Sequence, residues 1–261
     1  MAFSKLALVL TIALVLTVGT LASNSPKPAR RLVLNGVGST ADELRPTVDL
    51  FNELLGGEDN GSGAGPLKSG RRSINWDAGV VPFKFPGDFF AKNVTRGLTV
   101  KNSNNKFRVS NPVPSNGDDK FSKINPLAAA DFITFSSKRL FAPVKDTKVV
   151  VKFSVPGKHQ AALVRGFGAV FVDVDYPHLT KAVYYDKYGR VLTTQAVDAQ
   201  KNGLSFLGVI FDEPVISRVA LFLGSRPLRP LIPPRRRLCG SGRLFVLRAA
   251  ARVLIAAAAW L

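Results

Sequence analysis

Between residues 71 and 224 the apolar segments are short, and Gly, Pro, Asn and Asp interrupt them roughly every 8 to 15 residues, a spacing typical of β-strands joined by turns. No segment there is long enough for the helical crossover that parallel strands require. Residues 186–189, DKYG, fit a hairpin turn, and residues 212–214, DEP, fit a second hairpin or a short crossover. The pattern predicts an all-β fold, an antiparallel β-sandwich of the jelly-roll type over residues 71–224.

One short helix is expected before the sandwich, at residues 47–55. Thr47 is a suitable N-cap, and the glycines at 56 and 57 end the helix. Its apolar side chains share one face, which predicts packing against the main domain. They are Val48, Phe51, Leu54 and Leu55. The rest of residues 23–70 is interpreted as an extended lead-in and a glycine-rich loop.

The two ends of the chain differ in composition from the domain between them. Residues 1–22 combine an early lysine, a short apolar run and small residues, which is the pattern of a secretory signal peptide. Residues 225–261 consist mainly of Arg, Ala, Leu, Pro and Gly. Three interpretations of this tail stay open: a disordered segment, a hydrophobic anchor that contains Arg248 and Arg252, or a gene-model artefact. The expected location is extracellular.

The net charge of +18 does not by itself indicate a nucleic-acid partner. Eight arginines and no acid lie in residues 225–261, while elsewhere basic and acidic residues are interspersed. No basic helix and no aromatic-basic RNA motif accompanies the charge. We therefore expect a solvated basic surface, and neither nucleic acid nor membrane as a partner of the core domain. Weak attraction of this surface to anionic polysaccharide or membrane stays open. Cys239 is the only cysteine, so no intramolecular disulfide is expected.

Residues 166–175, GFGAVFVDVD, predict a buried strand that ends in two aspartates. The glycines at 166 and 168 indicate a bulge or a close backbone approach. Asp173 and Asp175 are two residues apart and would share one face of a strand, where their carboxylates could bind calcium together with loop carbonyls. The alternatives are that both aspartates face solvent or cap the following turn, or that they act in catalysis.

Residues 70–77, GRRSINWD, predict a ligand site. An aromatic face beside Arg, Asn and Asp is typical of sugar binding, because the ring stacks on CH groups while polar side chains bind hydroxyls. The candidate ligand residues are Arg72, Asn75, Trp76 and Asp77. The alternative is a core tryptophan whose neighbours hold the start of a strand. Two sequons, at Asn60 and Asn93, would accept glycans in a eukaryotic host.

Enzyme motifs are absent from the sequence. It contains no nucleophile elbow, no HExxH motif, no P-loop and no dinucleotide-binding glycine pattern. Only His159 and His178 could provide an imidazole base. A carboxylate-dependent hydrolase stays open, since a pair of acids needs no motif. No catalytic residue is therefore assigned.

Four segments together resemble an uncharacterised family of exported proteins, many of them bacterial. They are TVDLF…LLGG at 47–57, GRRSINWD at 70–77, GFGAVFVDVD at 166–175 and LSFLG at 204–208. The resemblance covers about residues 45–224. It implies a β-sandwich similar to carbohydrate-binding jelly rolls, with no established activity.

The sequence thus predicts a secreted, non-catalytic binding module for glycans or the cell surface, with calcium as a candidate cofactor. The competing predictions are a secreted carboxylate-dependent polysaccharide hydrolase and a structural protein of the extracellular matrix or wall.

Overall fold

Two β-sheets stacked face to face form the body of the protein. The computed structural model describes residues 29–66, 69–110, 119–136 and 138–228, together with the backbone of 254–260. The strands are β1 (Arg31–Gly38), β2 (Arg72–Asn75), β3 (Lys84–Phe85), β4 (Leu98–Lys101), β5 (Phe107–Val109), β6 (Phe141–Pro143), β7 (Lys148–Phe153), β8 (Gly166–Val174), β9 (Lys181–Tyr185), β10 (Val191–Ala196), β11 (Gln200–Phe211), β12 (Arg218–Phe222) and β13 (Leu254–Trp260). The helices are α1 (Ala41–Leu55), α2 (Phe89–Lys92) and α3 (Pro126–Asp131), with a 3-10 turn at Asp119–Phe121.

The strands of both sheets pair antiparallel, so the predicted all-β antiparallel sandwich is confirmed. The larger sheet has the order β1-β11-β8-β13-β6-β5-β3, with β2 also paired to β13, and the smaller sheet has the order β10-β9-β12-β7-β4. The predicted hairpin at 186–189 joins β9 to β10. Residues 212–214 are the short crossover rather than a second hairpin, because β11 and β12 belong to different sheets.

Strand β8 is buried along its whole length because both faces of the larger sheet are covered. On one face Phe167, Ala169 and Phe171 pack in the core between the two sheets. On the other face Val170 and Val172 pack in a second core beneath α1. The long apolar run in the sequence reflects these two cores.

Helix α1 lies close against the larger sheet because two glycines leave room for it. Gly168 of β8 and Gly208 of β11 are directly paired across the strands. A Cβ atom at position 208 would lie 2.4 Å from the ring of Phe51, and one at position 168 would lie 2.9 Å from it. The sequence predicted a bulge or a close backbone approach at Gly168, but the groups that lie close there are side chains, among them the Phe51 ring of the helix.

The helix begins at Ala41, well before the predicted start at Thr47. Thr40 is the N-cap, and its Oγ1 accepts a hydrogen bond from the backbone N–H of Glu43 at 3.3 Å. The Glu43 carboxylate in turn accepts from the backbone N–H of Ser39 at 2.7 Å, a reciprocal arrangement similar to a capping box. Pro46, which directly precedes the predicted start, lies inside the helix.

Two strands occupy segments for which the sequence predicted none. Strand β1 lies in the expected lead-in and pairs with β11 from Arg31 opposite Phe211 to Gly38 opposite Leu204. Strand β13 lies in the tail, where the anchor interpretation expects a helix, and pairs with β8, β2 and β6. The remainder of the tail from residue 229 to 253 lies outside the described residues, as does the predicted signal peptide. None of the helices in the described ranges is long and apolar enough to cross a bilayer.

Candidate functional site

A cleft of about 420 Å³ lies on the helix-covered side of the larger sheet, between α1 and β2. Strand β13 runs between β2 and β8 there, since Ala257 is paired with both Asn75 and Val170. The polar and aromatic residues that line the cleft are Arg45, Asn52, Arg71, Ser73, Asn75, Phe135, Ser136 and Phe206. Two guanidinium groups, two amides, two hydroxyls and two aromatic rings therefore surround one space.

Alternation along β2 brings three of these side chains to the cleft. Successive side chains of a strand point to opposite faces, so Arg71, Ser73 and Asn75 share the side that lines the cleft. The intervening residues Ile74 and Trp76 pack in the core between the two sheets. The GRRSINWD segment therefore presents Arg71, Ser73 and Asn75 to the cleft.

Asp59 holds Arg71 at the edge of the cleft. Its carboxylate lies 3.7 Å from Nη1 of Arg71 and 3.6 Å from Nη1 of Arg96, and it accepts hydrogen bonds from the Ser73 hydroxyl and, at 2.9 Å, from the Gly61 N–H. Burial alone would raise the pKa of Asp59, but these hydrogen bonds and the two guanidinium groups outweigh it and lower the pKa. Asp59 thus stays ionised and fixes the position of Arg71.

Three residues that line the cleft have a buried polar atom with no hydrogen-bond partner of good geometry among the described residues. One, Oγ of Ser136, interacts with the Asp77 carboxylate, and the other two are Oδ1 of Asn52 and Nε of Arg71. A buried polar group without a partner costs about 1–3 kcal/mol, so such groups are uncommon and call for a reason. The Asn52 atom is an acceptor and the Arg71 atom a donor, and a hydroxyl group can satisfy either.

Arg45 and Phe135 form the outer wall of the cleft. The guanidinium Cζ of Arg45 lies 5.4 Å from the centre of the Phe135 ring, and Nη2 is 3.3 Å from the Asp42 carboxylate. The Arg45 side chain is about half exposed. This wall combines an aromatic ring with a cation that solvent can reach.

Trp76, the residue on which the predicted sugar site depended, is a core residue and cannot stack on a ligand. It is 2% exposed and lies 4.6 Å from Phe141 in a stacked arrangement, with Phe85 and Phe90 at its edges. The prediction of an exposed aromatic face was wrong because burial of a large ring between the sheets outweighs its use at the surface.

Of the other predicted ligand residues, only Asn75 lines the cleft. Arg72 is buried, and its guanidinium donates to the carbonyl oxygens of Gly61 at 3.0 Å and Gly65 at 3.4 Å. The carboxylate of Asp77 accepts the backbone N–H of Arg139 at 2.8 Å. Burial raises the pKa of Asp77, although Arg139 acts in the opposite direction. The structure therefore separates the four residues that the sequence placed together, and Arg72 and Asp77 hold loops in place.

Asp173 lies next to a bulge at the end of β8. Its φ angle is 60°, and the pairing between β8 and β11 shifts there, with Asn202 at φ 52° on the opposite strand. Phe171 and Val174 both belong to the core between the sheets, so the two-residue alternation does not continue through Asp173. The regular alternation from which the sequence placed Asp173 and Asp175 on one face is therefore interrupted at Asp173.

The Asp173 side chain is buried and polar contacts to it are few. It is 7% exposed, and its Oδ1 accepts the backbone N–H of Asn202 at 3.0 Å. Burial raises the pKa of Asp173 to about 6, with further contributions from the nearby charges of Asp175 and Asp131. Burial also raises the pKa of Asp175. Within the described ranges no set of three or more His, Cys, Asp or Glu side chains has the arrangement of a metal site.

The two sequon asparagines differ in exposure. Asn93 is exposed at the end of α2. Asn60 is half-buried, and its amide nitrogen donates to the carbonyl oxygen of Ser69 at 2.8 Å. Glycosylation of either stays a prediction.

Comparison of the chain with protein-family models, with curated proteins and with solved structures gives no significant match. The resemblance to a family of exported sandwich proteins therefore stays a prediction.

Proposed function

We propose that the protein is a secreted, non-catalytic binding module for glycans, and that the glycan binds in the cleft between α1 and β2. The observation that carries this proposal is the pair of buried, unpartnered polar atoms, Oδ1 of Asn52 and Nε of Arg71, in a cleft of about 420 Å³. A volume of this size lies in the usual range for small-ligand sites.

The chemistry of the lining supports a sugar rather than an apolar ligand. Sugar hydroxyls both donate and accept, and the residues that line the cleft include the acceptor oxygen of Asn52 and the donor nitrogen of Arg71. The amide of Asn75 adds a further donor and acceptor. The Phe135 ring provides an apolar face for the CH groups of a sugar.

The test is glycan-array and polysaccharide binding by the wild type and by Asn52→Ala. Because the Asn52 oxygen has no partner among the described residues, its removal should leave the free energy of unfolding unchanged or raise it by up to about 1 kcal/mol. A lost ligand hydrogen bond should weaken glycan binding by roughly tenfold.

Arg45→Ala should also weaken binding, and Arg108→Ala is its matched control. Arg108 likewise places its guanidinium 5.4 Å from a phenylalanine ring, that of Phe83, but lies on β5 outside the cleft. Binding of no glycan by the folded wild type would refute the proposal, as would equal losses in Arg45→Ala and Arg108→Ala.

A second candidate function, carboxylate-dependent glycan hydrolysis, is favoured by one observation at Asp173. A general acid must stay protonated near the working pH, and the Asp173 pKa of about 6 is suitable for that. Turnover of a polysaccharide that is lost in Asp173→Asn while binding is kept would identify the protein as a hydrolase.

We also propose calcium as a structural ion at Asp173 and Asp175. Their carboxylates are hard oxygen ligands, and the bound cation would offset the cost of ionising a buried side chain.

A further inference from the structure

The smaller sheet has one face in the core and one face toward solvent, and the solvent face carries five cations. They are Lys101, Lys148, Lys152, Lys181 and Arg218, called here the basic face. Their strand neighbours, such as Val149, Val151 and Val219, point into the core between the sheets. No outward position of β4, β7, β9, β10 or β12 holds an acidic residue.

The cross-strand pairing places these cations beside one another. Arg218 is opposite Lys152 on one side. Lys148 and Lys181 flank Phe222 from the two neighbouring strands, and each Nζ lies 5.4 Å from the centre of its ring. Like charges opposite each other in a sheet are destabilising. The basic face therefore has an electrostatic cost in the free protein.

No carboxylate among the described residues forms an ion pair with any of the five cations. The two acids at the margin of the sheet have other partners. Asp186 pairs with Arg190 at 2.7 Å, and Asp146 accepts backbone N–H groups from Ser103 and Lys148. The charge of the basic face is thus left for an external anion.

The spacing of the cations matches a repeating anion rather than a small one. Lys148 and Lys181 are two strands apart, which is about 10 Å, and Lys148 and Lys152 are four residues apart along β7, which is about 13 Å. A single phosphate or sulfate can bridge a directly opposed pair such as Arg218 and Lys152, but it cannot span the whole basic face. A chain with a negative group on successive units can.

We propose that the basic face binds a polyanionic glycan, a sugar chain that carries carboxylate or sulfate groups. The aromatic rings on this face are covered by cations, since Arg218 lies 4.3 Å from the Tyr185 ring and two lysines flank Phe222. They are not free for the base stacking used by single-stranded nucleic-acid sites. The face belongs to the other sheet from the cleft and is independent of the function proposed there.

The test measures binding to dextran sulfate, polygalacturonate and uncharged dextran over a range of salt concentrations. Wild type should bind both charged polymers but not dextran, and the two charged polymers distinguish sulfate from carboxylate recognition. Lys148→Gln combined with Lys181→Gln should weaken binding roughly 30-fold at low salt, as expected when two surface cations that face a polyanion are removed. The slope of log K against log salt concentration should become less steep by roughly one for each lysine removed. The reason is that fewer counterions are released on binding.

The matched control is Lys84→Gln combined with Lys158→Gln, which removes two exposed lysines outside the basic face. It should retain binding within about threefold. Equal losses in the two double variants would overturn the proposal, because net charge alone would then explain binding. Failure to bind either charged glycan would also overturn it, as would tighter binding of duplex DNA or phosphatidylserine vesicles at equal ionic strength. Asn52→Ala should leave polyanion binding unchanged, so failure of the cleft and failure of the basic face are distinguishable.

Discussion

Replacement of Asp173 by Asn should stabilise the protein at pH 7 and not at pH 3.5. Burial raises the pKa of this carboxyl from 3.8 to about 6. The folded state therefore holds the proton more tightly than the unfolded state. The contribution of this group to the free energy of unfolding is complete below pH 3.8 and is lost as the pH rises through about 6. The difference between 3.8 and about 6 corresponds to about 3 kcal/mol in the free energy of unfolding.

Asparagine suits this position in the other respects. Its side-chain oxygen can still accept the N–H of Asn202, and asparagine tolerates the left-handed φ of 60° better than most residues. The variant has no charge to bury at any pH. We therefore expect Asp173→Asn to exceed the wild type by about 3 kcal/mol at pH 7 and to match it near pH 3.5.

The assay is urea unfolding of both proteins at the two pH values, in the presence of EDTA so that no bound cation offsets the charge. Asp212→Asn, in the exposed connection between β11 and β12, is the control and should show no such gain. A variant that is less stable than the wild type at pH 7 would refute the reasoning, because the ionised carboxylate would then be well accommodated in the fold.

Three further predictions concern the core, the helix and the cation. Trp76→Ala should lower the free energy of unfolding by about 3–5 kcal/mol in thermal or denaturant melts. Tyr188→Ala, at an exposed ring, should change it by less than about 0.5 kcal/mol. Equal effects of the two substitutions would place Trp76 at the surface. Gly208→Ala should cost about 1–3 kcal/mol in the same melts because the new methyl group meets the helix phenylalanine ring, while Gly79→Ala, with open space around it, should cost less; a neutral Gly208→Ala would contradict the close approach of α1. Calcium should raise the melting temperature of the wild type after chelation, but not that of Asp175→Asn; the absence of any shift in the wild type would remove the calcium proposal.

The sandwich was predictable because its signal is spread over many strands. Short alternating segments and turn residues recur from β7 to β12, and the hairpin at 186–189 has a turn sequence of its own. Strand β1 was not predicted because its residues are mostly exposed or half-buried, so the segment lacks the apolar character that marks β8.

The sequence assigned the candidate site to the strand that borders the cleft, but of the four predicted side chains only Asn75 lines it. In β2 a shift of one residue exchanges the two faces, and the sequence offered no independent sign of which face holds the core. Had Trp76 been assigned to the core, as the alternative allowed, alternation would have pointed to Arg71, Ser73 and Asn75. Alternation along β2 could not predict that Asn52 of α1 lines the cleft, because this depends on the glycines that let the helix lie close to the sheet.

The bulge at Asp173 also could not be predicted from the sequence pattern. Regular alternation is assumed when two residues are assigned to one face, and a single left-handed residue cancels it. Nothing in the run VFVDVD distinguishes Asp173 from a residue in regular strand conformation. The pairing with Asn202 and its neighbouring glycine is set by the register of β11, which is a long-range property.

The central claim, that a glycan binds between α1 and β2, is tested most directly by amide chemical-shift mapping with the tightest-binding uncharged oligosaccharide from the array. The account predicts the largest shifts at Asn52, Arg71, Ser73 and Asn75, and small shifts on the smaller sheet. Saturable shifts confined to the smaller sheet, with the cleft amides unchanged, would contradict it.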